Sequence, residues 1–247
     1  MKCNISKIVA KHLKENLPDT CSAYIISSIA RGDFITGKSD IDLLLVFDDD
    51  VKLEEMKILT DKVTDDLRKK LNLTDTGGHS WEIDILYIHQ KDIPTTPEQS
   101  AKSPFPLFSI FGFDLQAHHI HICGNEILRK FTPANPQKLV SQFIRQWIHK
   151  SVTDSKNTTL YAGQILRALA ISVGAKSLAK NEITKTIAKS NLPQFVKDYS
   201  KLHYNYCYQT NTSKPLPSID KQSTWFIAQI EKNLAHLLKP KDNKIKV

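Results

Sequence analysis

A chain of 247 residues, 40% hydrophobic and 24% charged, can build one large or two modest globular domains, which excludes a wholly disordered protein. No apolar run approaches the roughly 20 residues a membrane span needs, and the lysine-bearing start lacks an uninterrupted apolar signal core, so the expectation is a cytoplasmic protein without membrane partners. The net charge of +8 is uneven: residues 1–130 carry 16 Lys and Arg against 20 Asp and Glu, whereas residues 131–247 carry 18 against 6, a basic half suited to phosphates or nucleic acid.

In chain order, Ile5, Ile8, Val9, His12 and Leu13 recur at helical spacing, and AYIIS (23–27) is a short β-type run. Ser27 and Ser28 end that strand; Ala30, Arg31 and Gly32 open a helical turn whose N–H groups and hydroxyls suit a triphosphate. SDIDLLLVF (39–47) is a second strand. Val51 to Leu71, with Leu53, Met56, Leu59, Val63 and Leu67 on one stripe, is an amphipathic helix packing on a sheet. TDTGGHS (74–80) reads as a turn and WEIDILYIH (81–89) as a third strand. Pro94, Pro97, Pro104 and Pro106 make 90–106 an irregular connection, after which FGFDLQ leads into HHIHICG, a further strand. Past FTPANPQ (131–137) the pattern is helical at 136–150, 158–173, 181–190, 193–205 and 219–238, with Asn135 and Ser218 as capping positions. The fold class is therefore α+β: a small mixed β-sheet domain over 1–134, then an all-α helical bundle over 135–247.

The chemistry gathers around the second strand. Alternation puts Asp40 and Asp42 on one face, where two ionised carboxylates repel unless a cation neutralises them. Mg²⁺ suits such a pair, because it takes one or two carboxylates and completes its shell with water and phosphate oxygens. A third carboxylate should come from a neighbouring strand; Glu82 and Asp84 share a face of theirs, and Asp84 matches Asp42 better because each precedes an apolar run. Cys3, Cys21, Cys123 and Cys207 are scattered, with no C-x-x-C pair, so neither a zinc site nor a disulfide framework is indicated. His118, His119 and His121 lie in a strand pattern without a supporting acid and read as structural, and Y-N-Y-C-Y (204–208) reads as the aromatic face of a packed helix.

The residues S-S-I-A-R-G (27–32) followed by S-D-I-D (39–42) and an apolar run resemble the polymerase-beta-type nucleotidyltransferase superfamily, whose usual pattern is G-S-x-A-R-G, then S-D-x-D, then an acid on a later strand. Ser27 stands where that pattern has glycine, and serine lacks glycine's freedom at positive φ. With a helical second half containing D-S-K-N-T-T-L (154–160), I-L-R-A-L-A (165–170) and L-A-K-N-E-I (178–183), the chain looks most like the aminoglycoside adenylyltransferases that modify streptomycin and spectinomycin. The resemblance implies Mg²⁺ and ATP, with metal on Asp40, Asp42 and Asp84, Asp84 or Glu82 taking the acceptor's proton, and Ser27, Ser28, Arg31, Ser39 and Lys180 on the nucleotide. It implies transfer of AMP to a hydroxyl of a small molecule, an aminoglycoside first, with Asp154 facing an amine of the drug. Two alternatives stand beside it: transfer to RNA or a protein, which the basic half favours, and a regulatory module that binds nucleotide without turnover.

Overall fold

A computed structural model describes residues 2–73, 83–209 and 219–237. Two compact units follow one another, Met1–Pro136 and Gln137–Val247. In the first, β1 (Cys21–Ile25), β2 (Ile41–Phe47), β3 (Ile83–His89) and β4 (Ile120–Cys123) form one sheet in the order β3-β2-β1-β4. β1 runs antiparallel to β2 and β4, while β2 and β3 are parallel. A parallel pair needs a crossover, and the chain between them contains α3 (Leu53–Leu71).

β2 is apolar at every position except Asp42 because both of its faces are covered. Ile41, Leu43, Leu45 and Phe47 pack with Val9 and Leu13 of α1 (Lys2–Asn16) and with Met56, Val63 and Leu67 of α3. Leu44 and Val46 pack on the other face with Tyr24, Ile88, Phe108, Leu115 and Phe131.

Three details differ from the sequence reading. The first strand ends at Ile25, and Ser27–Arg31 forms the short helix α2. The connection 90–106 contains α4 (Pro97–Lys102), in which Thr96 and Gln99 make a capping box and Pro97 sits in the first turn, where a missing N–H costs nothing. FGFDLQ falls largely in α5 (Gly112–Ala117). TDTGGHS (74–80) lies outside the described residues. His119 and His121 carry the structural role expected of them: their rings pack on Tyr24, and their ring nitrogens meet the Leu115 and Cys123 carbonyls.

The second unit comprises α6 (Val140–Thr153), α7 (Thr158–Ser172), α8 (Lys180–Lys189), α9 (Gln194–Tyr208) and α10 (Ile219–Leu237). α7 is its centre. It buries Tyr161, Ala162, Ile165, Leu166, Ala168, Leu169, Ala170 and Ile171, nearly its whole circumference, against α6, α8 and α10. A mixed sheet followed by a helical bundle is the expected α+β class.

Candidate active site

One end of the sheet gathers the carboxylates. In the parallel β2–β3 pair, Asp42 lies directly opposite Asp84, so their Cα atoms are separated by the strand spacing of about 4.8 Å and their side chains share a face. Asp40 precedes β2 by one residue and, by alternation, belongs to the same face; Asp40 and Asp84 are exposed and Asp42 half-buried. Glu82 lies outside the described residues. Among the described residues no three of His, Cys, Asp and Glu are gathered into a preformed cage. The donor set still fits Mg²⁺: hard carboxylate oxygens on adjacent strands, with room for water and phosphate in the rest of the shell.

The antiparallel pairing of β1 with β2 brings the turn after β1 to this same end: Ile25 faces Leu43, and the Ile26 N–H donates to the Asp42 carbonyl at 3.1 Å. Ser27 then adopts φ +56°, the left-handed region that glycine occupies without strain. Ser28 is buried, and its Oγ has no hydrogen-bond partner among the described residues. An unsatisfied buried hydroxyl costs about 1–3 kcal/mol, which an oxygen of a bound phosphate would offset. Gly32, also left-handed at φ +79°, closes α2 with its N–H on the Ile29 carbonyl.

Two other residues of the sequence motif face inward. Ser39 is buried, and its Oγ accepts from the Ile35 N–H at 2.9 Å, closing the loop before β2. Arg31 is only 8% exposed in its side chain; its Nη1 donates to Asp114 Oδ2 at 2.8 Å and its Nε to Asp33 Oδ1 at 3.3 Å.

In the helical unit, Asp154 lies between α6 and α7. Its carboxylate accepts from the Lys156 N–H at 3.1 Å, Asn157 Nδ2 at 2.8 Å and the Tyr161 hydroxyl at 2.7 Å. The Tyr161 bond first, then that from Asn157, holds the Asp154 carboxyl below its usual range. Lys180 starts α8, is 9% exposed, and places its Nζ 5.2 Å from the centre of the Tyr208 ring. It lines a cavity of about 30 Å³ with Arg167, Ser200, His203, Tyr204 and Tyr208. Burial pushes His203 down to about 4, so it is neutral at pH 7, while the buried Ser200 Oγ has no partner among the described residues. Arg167 and Lys180 bring two basic side chains to this lining.

Residues 6–107 match the family model described as a nucleotidyltransferase domain. That match spans most of the first unit. The fold is similar to that of the spectinomycin adenyltransferase from Enterococcus faecialis, solved with ATP and spectinomycin, at a TM-score of 0.60 and 14% identity, covering 93% of this chain and 98% of that one. No curated protein matches the chain. The first unit thus has Asp40, Asp42 and Asp84 on one face of the β2–β3 pair and the Ser27–Ser28 turn at the same end of the sheet; Asp154 and Lys180 belong to the helical unit.

Two residues of interest escaped the sequence. Arg167 shows in the sequence only as a lone charge inside the apolar run Ile165–Leu169. Asp114 gave no sign, because its partner Arg31 is 83 residues away.

Proposed function

We propose that the protein transfers a nucleoside monophosphate, AMP from ATP, to a hydroxyl of a small molecule and releases pyrophosphate. The observation that carries the reading is the direct opposition of Asp42 and Asp84 at the sheet end where the Ser27–Ser28 turn begins. Mg²⁺ held by Asp40, Asp42 and Asp84 would neutralise charge that builds on the transferred phosphoryl group and its leaving oxygens. The Ser28 hydroxyl and the backbone N–H groups of the turn bind phosphate oxygens, and Ser39 braces the loop that presents Asp40. Asp84, or Glu82 beside it in sequence, takes the proton from the attacking hydroxyl. Lys180 is assigned to nucleotide phosphate, supported by its place with Arg167 in the same basic lining.

An aminoglycoside is the first acceptor class, supported by the fold likeness to a spectinomycin adenyltransferase and by the low-lying carboxyl of Asp154, which stays charged to receive an amine. A second reading, RNA as acceptor, is favoured by 18 Lys and Arg against 6 acids over residues 131–247 and by the three donors Asp154 already holds.

The test is incubation with each labelled nucleoside triphosphate, Mg²⁺ and a panel of aminoglycosides and RNAs, reading pyrophosphate and acceptor mass. Asp42→Asn should keep the fold and lower turnover by at least about a thousandfold, since a neutral amide cannot hold the cation. Near-normal pyrophosphate release from that variant would end the metal-site reading. Nucleotide binding without pyrophosphate release across the panel would instead mark a regulatory module.

A further inference from the structure

The helix α2 is five residues long, far too short to persist without tertiary support. Its position is set at two points. At its start the Ile26 N–H is bonded to the Asp42 carbonyl, and at its end the Arg31 guanidinium is clamped between Asp33 and Asp114. Asp114 is itself fixed: it is 4% exposed, and its neighbour Leu115 is buried in the core with Tyr24 and Phe108. The clamp ties the end of the Ser27–Ser28 turn to α5, an element from a distant part of the chain.

The charge balance matters as much as the geometry. The Arg31 guanidinium already faces two carboxylates, and its side chain is only 8% exposed, so an approaching phosphate would have to compete with both for a nearly buried group.

Resting on the nucleotidyl-transfer reading above, we propose that Arg31 and Asp114 form a positioning pair that holds Ser27 and Ser28 in register with Asp42 and Asp84, and that Arg31 does not itself bind the nucleotide. Asp114 is then part of the working site although it touches no reacting group. Neither residue substitutes for the other, because the pair acts as a unit.

The direct and the positioning roles part company at Asp114→Asn. If Arg31 binds phosphate, removing a competing carboxylate leaves its charge more available, and affinity for a non-hydrolysable ATP analogue with Mg²⁺ holds or tightens. If the pair positions the turn, Asp114→Asn and Arg31→Ala each weaken that affinity by at least about tenfold, and the double variant is no worse than the weaker binder of the two. Arg31→Lys keeps the charge but cannot span both carboxylates, so it fails to rescue. Calorimetry on the full chain reads these affinities, and amide hydrogen exchange across Ser27–Asp33 without nucleotide supplies an independent readout. Faster exchange there in Asp114→Asn, with α3 and β2 unchanged, is the expected result. Unchanged exchange, or tighter nucleotide binding by Asp114→Asn, overturns the proposal. If the wild-type chain binds no nucleotide, the functional reading fails, and exchange alone decides whether the pair holds the turn. If Arg31→Ala does not fold, Asp114→Asn and Arg31→Lys carry the same comparison.

Discussion

Ser27 holds a left-handed backbone at φ +56° with a side chain that disfavours it, at a cost of about 1–2 kcal/mol. Ser27→Gly relieves that cost but gives back about 0.5–1 kcal/mol through the freer unfolded chain. The variant should therefore gain up to about 1.5 kcal/mol, seen as a melting temperature higher by a few degrees; a lower one would mean that the hydroxyl contributes more than the strain costs. Asp154 offers a pH test. Its folded pKa is lowered, by the Tyr161 bond first, below that of an ordinary aspartate. Its contribution to stability is therefore complete above the unfolded pKa and is lost as pH falls through the lower folded one. Asp154→Asn should melt below wild type at pH 7 and converge with it in strong acid, while Tyr161→Phe should return the Asp154 carboxyl towards its ordinary range in an NMR titration. Asp154→Asn melting with the wild type at pH 7 would show that the cap bonds contribute nothing.

At the scale of elements, what the sequence made legible were structures long enough to show a period. β2 reads as an apolar run because both faces are buried, and α3 reads as a stripe because only one is. The five- and six-residue helices α2, α4 and α5 are too short to show a period, and Pro97 reads as a breaker although it starts a helix. Asp40, Asp42 and Asp84 were legible as alternating polar intrusions in strands, and the register then supplied what spacing could not, the opposition of Asp42 and Asp84. Ser28's burial and Arg31's distant partner depend on tertiary packing and leave no local trace. β4 gives a sharper dependence on one backbone position. Gly124 follows it at φ +76°, where an added Cβ would sit 2.6 Å from the Cys21 carbonyl oxygen and the Ser22 Cα. Those are backbone atoms that cannot swing aside, so Gly124→Ala should cost about 2–4 kcal/mol, with chemical denaturation as the measurement and the β1–β4 amides losing exchange protection first. A midpoint within error of wild type would show that β4 can shift without penalty.

For the whole molecule, the two units differ in charge as well as in architecture: 16 Lys and Arg against 20 acids in residues 1–136, and 18 against 6 in residues 137–247. Each also has its own buried core, around β2 in the first and around α7 in the second. Expressed separately, the first fragment should therefore unfold cooperatively and bind an anion exchanger near pH 8, while the second binds a cation exchanger. The first fragment holds Asp40, Asp42, Asp84 and the Ser27–Ser28 turn, so it should retain Mg²⁺-dependent nucleotide binding, weakened by the loss of Lys180. It lacks Asp154 and the rest of the helical unit, to which the proposed function assigns the acceptor. Without acceptor positioning, transfer should fall by at least about a hundredfold even at saturating nucleotide, because orientation is a large part of what an enzyme supplies to a two-substrate reaction. Pyrophosphate release and nucleotide affinity measured side by side for residues 1–136 and for the full chain separate the two effects. Full transfer to a small acceptor by the fragment alone would remove the helical unit from the chemistry, whereas binding without transfer would assign the nucleotide to the first unit and the acceptor to the second.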